Sequence, residues 1–421
     1  MLTVSGDDEL RLNTQSFSLN STIASDFKRQ FFKLGNTSHH PHLILDAMQN
    51  RRDWLKSTLS IAAGVTLSQQ LMASPVSDVE RQQWGKVRAS GIKIKLNSNE
   101  NPYGPSEKAK QALREIIVEG NRYAFDVQEE MKSVLAKKEG VTAAHVAIGA
   151  GSGDLLCQAG AAFGVEGGRI LSAFPTFPLL MNYATAFRAT WDKVNLTDNL
   201  EHDYDAMAAR VNQDTQLVFV CNPNNPTGTL VDPVRVKQFC ENVSKKTTVY
   251  VDEAYLEFLD PKDQISMVDL VKADSNLVVS RTFSKIYGLA GLRLGYVIGR
   301  PDLIKKIDKY HMGIANNQPA LAAAKASLGD TAFMELCRKK NAEARKHLTD
   351  YLDKKGIWYA KSHTNFVFFP SKSNTATVMS KLSERGIGIR VWDYKDQQWF
   401  RVSIGTLEEM KIFTREFDRF V

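Results

Sequence analysis

The segment SRTFSKIYGLAGLRLGY, residues 280–296, is the most informative part of this sequence. Its Lys285 ends the apolar run NLVVSRTFS and stands eight residues before Arg293, with Gly288 and Gly291 between them. Such a lysine is expected to hold its amine in a pocket, while the glycine-rich turn brings an arginine back to hold an anion. The pattern indicates a lysine that forms a Schiff base beside a phosphate-bearing cofactor. The alternative is a strand-end lysine followed by a flexible loop.

Length and composition set broad limits on the protein. A chain of 421 residues with 43% hydrophobic and 24% charged residues is typical of a globular protein with two or three domains. The net charge of +7 is spread along the chain, without a basic run interleaved with aromatic residues, which argues against a nucleic-acid partner. The four cysteines and eight histidines lack CxxC, HxxxH and HExxH spacing, so neither a metal site nor a disulfide framework is expected.

The amino-terminal residues have the layout of an export signal. Residues 1–47 are polar and are predicted to be a non-native or disordered leader, with Met48 as the true start. Arg51 and Arg52 then precede a weakly apolar run that ends near Ala73. This layout predicts a twin-arginine signal over residues 48–74, and hence an exported or periplasmic protein. The run is too short and mild for a stable membrane span. An uncleaved anchor, or an exposed helix in a cytoplasmic protein, stays open.

From about residue 90, apolar strands alternate with helical segments. The strands are predicted at VAIG (146–149), RILSAF (169–174), QLVFVCN (216–222), TVYVDEAY (248–255), LVVSRTFS (277–284) and LGYVIG (294–299). Near-continuous apolar runs of this kind predict an α/β fold with a parallel sheet buried on both faces. A long helical stretch is predicted from Pro319 to about Lys355, followed by strand, helix, strand, strand and helix. We predict an arm at 90–125, a large domain at 126–318 and a smaller α+β domain at 319–421.

Polar residues gather where these strands end, which is where sites lie in open α/β sheets. After VAIG, the loop Gly149–Asp154 opens a helix whose backbone N–H groups can cradle a phosphate. Asp154 stands where a dinucleotide GxGxxG loop needs glycine, which excludes that motif. The next strands lead into the asparagine-rich segment 222–228, into Asp252–Tyr255, and into Ser284 and Lys285. An acid that ends an apolar strand needs a cationic partner.

Taken in order, these strand ends resemble those of the class I/II aminotransferases, the fold-type I pyridoxal-phosphate enzymes. Within them the sequence resembles the histidinol-phosphate aminotransferase branch. The segments that carry the resemblance span about residues 95–410: NSNENPYGPS, NRYAF, GAGSGDLL, FPTF, NPNNPTGT, VDEAYLEF, SRTFSKIYGLAGLRLGY, TNFVFF and FRVSIGT. The resemblance implies a large, mostly parallel seven-stranded sheet domain, a smaller α+β domain, and a homodimer with shared active sites.

The resemblance also implies roles for individual residues. Lys285 would form the Schiff base and move protons, Asp252 would pair with the ring nitrogen of pyridoxal 5'-phosphate, and Tyr255 would assist at the ring's phenolic oxygen. The other implied cofactor-binding residues are Asn225 at the same oxygen, Phe177 stacked on the ring, and Ser152, Gly153, Asp154, Thr282, Ser284, Arg293 and Tyr123 around the phosphate, with Tyr123 reaching the site of the second subunit. The implied substrate-binding residues are Arg401 on the α-carboxylate, Asn365 beside it, and Tyr103 and Arg390 near the side chain.

The sequence therefore predicts a transaminase that exchanges an amino group between an amino acid and a 2-oxo acid. Trp392 and Tyr394, which follow Arg390, suit an aromatic or imidazole side chain. Export would separate the enzyme from the cytoplasmic intermediates of histidine synthesis, which favours an aromatic amino acid or glutamate as donor. Two alternatives remain: a pyridoxal-phosphate-dependent decarboxylase on the same scaffold, and a non-catalytic binding module. The second is disfavoured because Lys285 and Arg401 are both present.

Overall fold

The structure is a computed structural model, and it describes residues 91–421. The leader predicted over 1–47 and the twin-arginine signal predicted over 48–74 lie outside the described residues. Within residues 91–421, no helix is both long enough and apolar enough to cross a membrane.

Strands and helices alternate along most of the described chain. The strands are β1 (Ile94–Lys95), β2 (Val146–Gly149), β3 (Arg169–Phe174), β4 (Thr190–Asn195), β5 (Thr215–Cys221), β6 (Thr248–Asp252), β7 (Leu277–Thr282), β8 (Gly295–Gly299), β9 (Phe366–Pro370), β10 (Ile387–Gly388), β11 (Arg390–Tyr394) and β12 (Gln397–Ser403). The helices are α1 (Glu107–Ile116), α2 (Phe125–Glu139), α3 (Ser152–Gly164), α4 (Leu179–Phe187), α5 (Tyr204–Arg210), α6 (Pro233–Ser244), α7 (Val268–Lys272), α8 (Pro301–Asp308), α9 (Gln318–Leu328), α10 (Thr331–Lys354), α11 (Thr375–Glu384) and α12 (Leu407–Phe417).

Two elements differ from the sequence expectation. The run TWDKVN forms β4, an edge strand that was not predicted because its residues alternate between exposed and buried positions and give no apolar run. The long helical stretch predicted from Pro319 to about Lys355 is helical, with one interruption. It is two helices, α9 and α10, separated at Gly329 and Asp330.

The large sheet has seven strands in the order β2-β8-β7-β6-β5-β3-β4. Strand β8 runs antiparallel to both of its neighbours, and the other neighbouring pairs are parallel. This confirms the predicted large, mostly parallel sheet. Because parallel strands place their carboxyl ends at one edge, Cys221, Asp252 and Ser280 lie side by side across β5, β6 and β7.

The sheet is buried on both faces, as its apolar strands predict. Successive side chains of a strand point to opposite faces, so Val218 and Val220 of β5 pack on one side and Leu217 and Phe219 on the other. Helices α3, α4 and α8 cover the Phe219 side, and α2, α6, α7 and α9 contribute to the core on the Val218 side. The sheet edge that carries the polar residues is thus held by a core on each side.

A smaller antiparallel sheet, in the order β11-β12-β9, follows α10. One of its faces packs with α10, α11 and α12 into a separate core that includes Phe369, Phe400 and Phe413. Strand, helix, strand, strand and helix follow α10, as predicted, with the addition of the two-residue β10. That strand pairs in parallel with β1 in a separate two-stranded sheet, which attaches the amino-terminal arm to the segment between α11 and β11. The exact domain boundaries stay predictions.

Candidate active site

Asp252 ends β6 and lies buried at the carboxyl edge of the large sheet, where it is 3% exposed. Its Oδ1 accepts a hydrogen bond of 2.8 Å from the hydroxyl of Ser280 on the adjacent strand. Burial raises the pKa of the Asp252 carboxyl to about 6, because a desolvated carboxylate loses its hydration. A cation placed at this carboxylate would therefore be bound strongly and would keep it ionised.

Lys285 follows β7 and is half-buried next to the same edge. Its Nζ donates to the carbonyl oxygen of Ser98 at 3.3 Å and lies 5.6 Å from the centroid of the Tyr255 ring. Burial, and then the cationic charge of Arg401, lower the pKa of the Lys285 amine to about 8. A substantial share of the amine is therefore neutral near physiological pH, which is the form that attacks a carbonyl group.

Arg293 closes a cradle over the first turn of α3. Its backbone is left-handed, with φ of 56°, and its guanidinium donates to the Ser284 hydroxyl at 3.3 Å and to the Ala150 carbonyl at 3.2 Å. Gly151 precedes the helix with φ of 88°, and a Cβ there would lie 2.3 Å from Arg293 Nη2. The missing side chain thus lets the guanidinium lie against the loop that opens the helix, and a guanidinium and a helix amino terminus are the two features that bind phosphate.

Three other residues predicted at the phosphate, Ser152, Gly153 and Thr282, lie around this cradle. Ser152 and Gly153 form the first turn of α3, and Thr282 accepts a hydrogen bond of 3.1 Å from the backbone N–H of Ser284. Asp154 has a different part. Its Oδ2 accepts hydrogen bonds of 3.0 Å from the Ala150 N–H and from the Gln158 amide, so it shapes the loop through its own contacts.

Tyr255 belongs to a buried network that the sequence did not reveal. Its hydroxyl accepts a hydrogen bond of 2.9 Å from Asn99, whose Oδ1 accepts one of 2.7 Å from Ser403 at the end of β12. Asn365 donates to the Asn99 carbonyl at 3.0 Å. The arm is thereby fixed between the large and the small sheet. Asn99 has φ of 54° and is 1% exposed, and the only signal in the sequence was its place in NSNENPYGPS.

Arg401 of β12 is 2% exposed and faces the same space. It donates from Nη1 to Asn225 Oδ1 and from Nη2 to the Asn97 carbonyl, each at 2.7 Å, and its guanidinium carbon lies 5.5 Å from the centroid of the Phe366 ring. The structure therefore brings Arg401 and Asn225 together, although sequence reasoning had given them separate partners. Asn97 and Asn99 were not predicted, because their contacts depend on where the arm packs.

Arg390 is the direct cross-strand neighbour of Arg401 in the β11–β12 pair. Directly opposed residues point to the same face of a sheet, and so do residues two apart on one strand. Both arginines and Trp392 therefore lie on the face opposite the core that contains Phe400. Tyr103 is half-buried and shares a small cavity with Asn365 and Cys337. These residues form the flank of the site nearest the small sheet.

Two predicted residues lie further out. Phe177 is half-buried in the loop between β3 and α4 and packs against the core on the α3 side. Tyr123 is 70% exposed, next to Phe125 at 5.7 Å between ring centroids, so within this chain it faces outward. Among residues 91–421, no group of three or more histidine, cysteine, aspartate or glutamate side chains is placed to hold a metal ion.

The sequence matches the family aminotransferase class I and II over residues 91–417. It is 37% identical over 359 residues to histidinol-phosphate aminotransferase 1 of Cupriavidus pinatubonensis, covering 84% of this chain and 94% of that protein. The chain belongs to the class I and II aminotransferases. This aminotransferase is also 38% identical over 339 residues to histidinol-phosphate aminotransferase 2 of Ralstonia nicotianae, covering 80% of this chain and 90% of that one.

The fold of the aminotransferase agrees with these matches. A solved histidinol-phosphate aminotransferase from Sinorhizobium meliloti, in complex with pyridoxal-5'-phosphate, superposes with a TM-score of 0.73 at 26% identity, covering 80% of this chain and 93% of that one. The predicted family, the histidinol-phosphate aminotransferase branch and the cofactor are confirmed.

The side chains of this aminotransferase fit pyridoxal phosphate. Asp252 offers a buried carboxylate for a protonated ring nitrogen, Lys285 offers an amine for an aldehyde, and the cradle of Arg293 and the first turn of α3 offers hydrogen-bond donors for a phosphate. The residue roles predicted from the sequence stay predictions, and this geometry supports them.

Proposed function

We propose that this enzyme transfers the amino group of an amino acid to a 2-oxo acid, so that the donor gains the oxo group, and that Arg401 binds the α-carboxylate of both. The observation that carries the proposal is the buried Arg401 guanidinium, which is oriented by Asn225 and by the Asn97 carbonyl toward the space beside Lys285. An oriented guanidinium binds a planar carboxylate with two parallel hydrogen bonds.

When bound, pyridoxal phosphate supplies an electron sink for the substrate carbon that loses its proton. Lys285 is the residue that would remove and return that proton, because an amine with a pKa near 8 both accepts and donates protons at neutral pH. Asp252 would keep the cofactor's ring nitrogen protonated. Its buried carboxylate accepts a hydrogen bond from Ser280, and a neighbouring positive charge would stabilise its ionised form against the cost of burial.

We propose that Arg390 and Trp392 contact the side chain of the amino donor and determine which donors bind. A second arginine opposite Arg401 suits a distal carboxylate or phosphate, and the indole of Trp392 suits an aromatic or imidazole ring. Glutamate and the aromatic amino acids meet these requirements. Histidinol phosphate is the second candidate. The similar proteins are named histidinol-phosphate aminotransferases, and the same pair of arginines suits its phosphate group.

The test is a half-reaction screen. Each amino acid, and histidinol phosphate, is added to the purified holoenzyme in the absence of an acceptor, and the cofactor's absorbance is followed as it takes up the amino group. A stoichiometric 2-oxo acid product supports the proposal. Release of carbon dioxide instead would identify a decarboxylase, and no spectral change with any compound would favour a binding module. Conversion with histidinol phosphate alone would select the second candidate.

We further propose that the enzyme is a homodimer in which Tyr123 completes the site of the other subunit. Near Tyr123 the surface is apolar: Val118 is 76% exposed and Phe125 is 59% exposed. Met312 and Ile314, 73% and 56% exposed, precede α9, whose Gln318 amide donates to the Tyr123 carbonyl at 3.5 Å. A patch of this kind marks a protein interface, and a second copy covers it in this proposal.

A mixed dimer tests the shared site. Lys285→Ala and Tyr123→Ala are each expected to be poorly active alone. In a hybrid of the two, the site that keeps Lys285 receives an intact Tyr123 from the other subunit, so activity should return. If Tyr123 acted only within its own chain, neither site of the hybrid would be complete and no activity would return.

Export through the twin-arginine route is also our proposal, supported by Arg51 and Arg52 ahead of a mild apolar run. A fusion of residues 48–90 to a reporter protein should be exported, and Arg51→Lys/Arg52→Lys should block it. Export that persists in the double variant, or a reporter retained inside the cell, would contradict the proposal. Amino-terminal sequencing of the precursor made from the native gene tests whether Met48 is the start.

A further inference from the structure

A buried ion cluster lies behind the site, on the opposite face of the same two strands. Arg281 of β7 is 5% exposed, with Nε 2.8 Å from Glu253 Oε2 and Nη1 2.9 Å from Glu257 Oε1. Both carboxylates are also buried, at 2% and 7% exposed. Burying three charges is costly unless they are paired with good geometry, so this arrangement needs a physical reason.

Arg281 and the Ser280–Asp252 pair lie on opposite faces of the large sheet. Side chains alternate along a strand, so Ser280, which donates to Asp252, points away from the face that carries Arg281. Glu253 directly follows Asp252, and Lys285 lies four residues after Arg281. A single guanidinium therefore connects the ends of the two strands that present Asp252 and Lys285.

Further contacts fix the cluster in place. Glu253 Oε1 accepts a hydrogen bond of 2.7 Å from the Met267 N–H, and its Oε2 accepts one of 2.8 Å from the Ser266 hydroxyl. Tyr296, the β8 residue directly opposite Arg281, donates to Glu139 at 2.8 Å. Because both carboxylates are paired with Arg281 and Glu253 is also held by Met267 and Ser266, the cluster fixes the position of the guanidinium between the two strand ends.

We propose that Arg281 is a positioning residue, whose ion pairs with Glu253 and Glu257 set the spacing between Asp252 at the end of β6 and Lys285 in the loop after β7. The inference rests on the proposed function only in taking those two residues as the cofactor's partners. Buried ionic clusters are often replaceable by apolar groups without loss of stability, so we ascribe the role of this cluster to the geometry that it imposes.

The experiment compares two variants with a matched control. Arg281→Met leaves two buried carboxylates uncompensated and is expected to lower stability. The triple variant Arg281→Met/Glu253→Gln/Glu257→Gln removes the charges with little change in shape, and its unfolding midpoint should return towards that of the wild type. Arg169→Met is the control. Arg169 pairs with a buried acid, Asp192, which also pairs with Arg210, and it begins β3 at the sheet edge opposite that of Asp252.

For the triple variant we expect the apoprotein's affinity for pyridoxal phosphate to fall at least tenfold. At saturating cofactor, the visible circular dichroism of the bound cofactor should change and kcat should fall at least tenfold, with KM little altered. The control should lose stability but keep affinity, dichroism and kcat. A triple variant with wild-type affinity and dichroism would overturn the proposal. Cofactor affinity and circular dichroism are measured without turnover. They therefore test the role of Arg281 even if the proposed reaction is wrong.

Discussion

Arg401 Nη1 lies 2.7 Å from Asn225 Oδ1, although 176 residues separate the two in the chain. One residue belongs to β12 of the small sheet and the other to the loop that follows β5 of the large sheet. The contact joins the residue proposed to hold the substrate carboxylate to a residue proposed to hold the cofactor ring. Substrate and cofactor are thereby positioned by one hydrogen-bond network.

Replacement of Arg401 should therefore affect substrate more than cofactor. Arg401→Ala removes a charge-assisted bidentate contact worth about 1.5–3 kcal/mol, so kcat/KM for the amino acid should fall roughly 10- to 100-fold. Steady-state kinetics over a range of donor concentrations measures this. Arg385→Ala, which breaks an exposed pair with Glu416, is the matched control and should have no effect. An unchanged KM in Arg401→Ala would place carboxylate recognition elsewhere.

Gly151 offers a test of the phosphate cradle. Gly151→Ala would place a Cβ 2.3 Å from Arg293 Nη2 at a φ of 88°, so both the space and the backbone conformation are lost. Strain of this kind costs about 1–3 kcal/mol, and affinity for pyridoxal phosphate should fall by at least tenfold. Gly291→Ala is the control, because a Cβ there meets nothing within 4 Å. Equal affinities of the two variants, measured by titration of the apoproteins, would contradict the assigned cradle.

The buried carboxylate of Asp252 should be needed for activity but should destabilise the apoprotein at neutral pH. Burial raises its pKa to about 6, so in the apoprotein this group binds its proton more tightly than in the unfolded chain. Its contribution to the free energy of unfolding is therefore present at pH 4 and is lost as the pH rises through about 6. Asp252→Asn should abolish turnover yet stabilise the apoprotein at pH 7.5 by on the order of 1–3 kcal/mol. Urea unfolding at pH 4.5 should show a smaller gain, and equal gains at both pH values would contradict this account.

The pH dependence of cofactor capture reports on Lys285. Its neutral amine reacts with an aldehyde, and burial with the nearby Arg401 lowers its pKa to about 8. Stopped-flow absorbance should show the capture rate of the apoprotein rising with pH and levelling off, with a midpoint near 8. Arg401→Ala removes a neighbouring cation and should move that midpoint upwards. A midpoint near the ordinary lysine value of about 10 would show an unperturbed amine.

Much of this arrangement could be predicted because the strands carry strong local signals. Apolar runs such as TVYVD and LVVSRT specify buried strands, and parallel strands bring their ends together, so Asp252 and Lys285 could be placed at one edge without coordinates. Strand β4 was missed because an edge strand needs apolar residues on alternate positions only.

The contacts that cross the chain could not be predicted. Asn99 meets Ser403 across 304 residues, and nothing in either local segment specifies the other. Arg281 stands in a mostly apolar strand, and its partners Glu253 and Glu257 belong to the segment that follows β6. Such pairs depend on how the arm and the two sheets pack, which a local pattern does not encode.

The most direct test of the central claim is to reduce the holoenzyme with borohydride, which fixes the cofactor to the amine that holds it, and to map the modified peptide by mass spectrometry. The account predicts one cofactor adduct, on Lys285. Incubation with a good amino donor before reduction should abolish the adduct, because the cofactor leaves the lysine when it takes up the amino group. An adduct on another lysine, or one that survives saturating donor, would contradict the account.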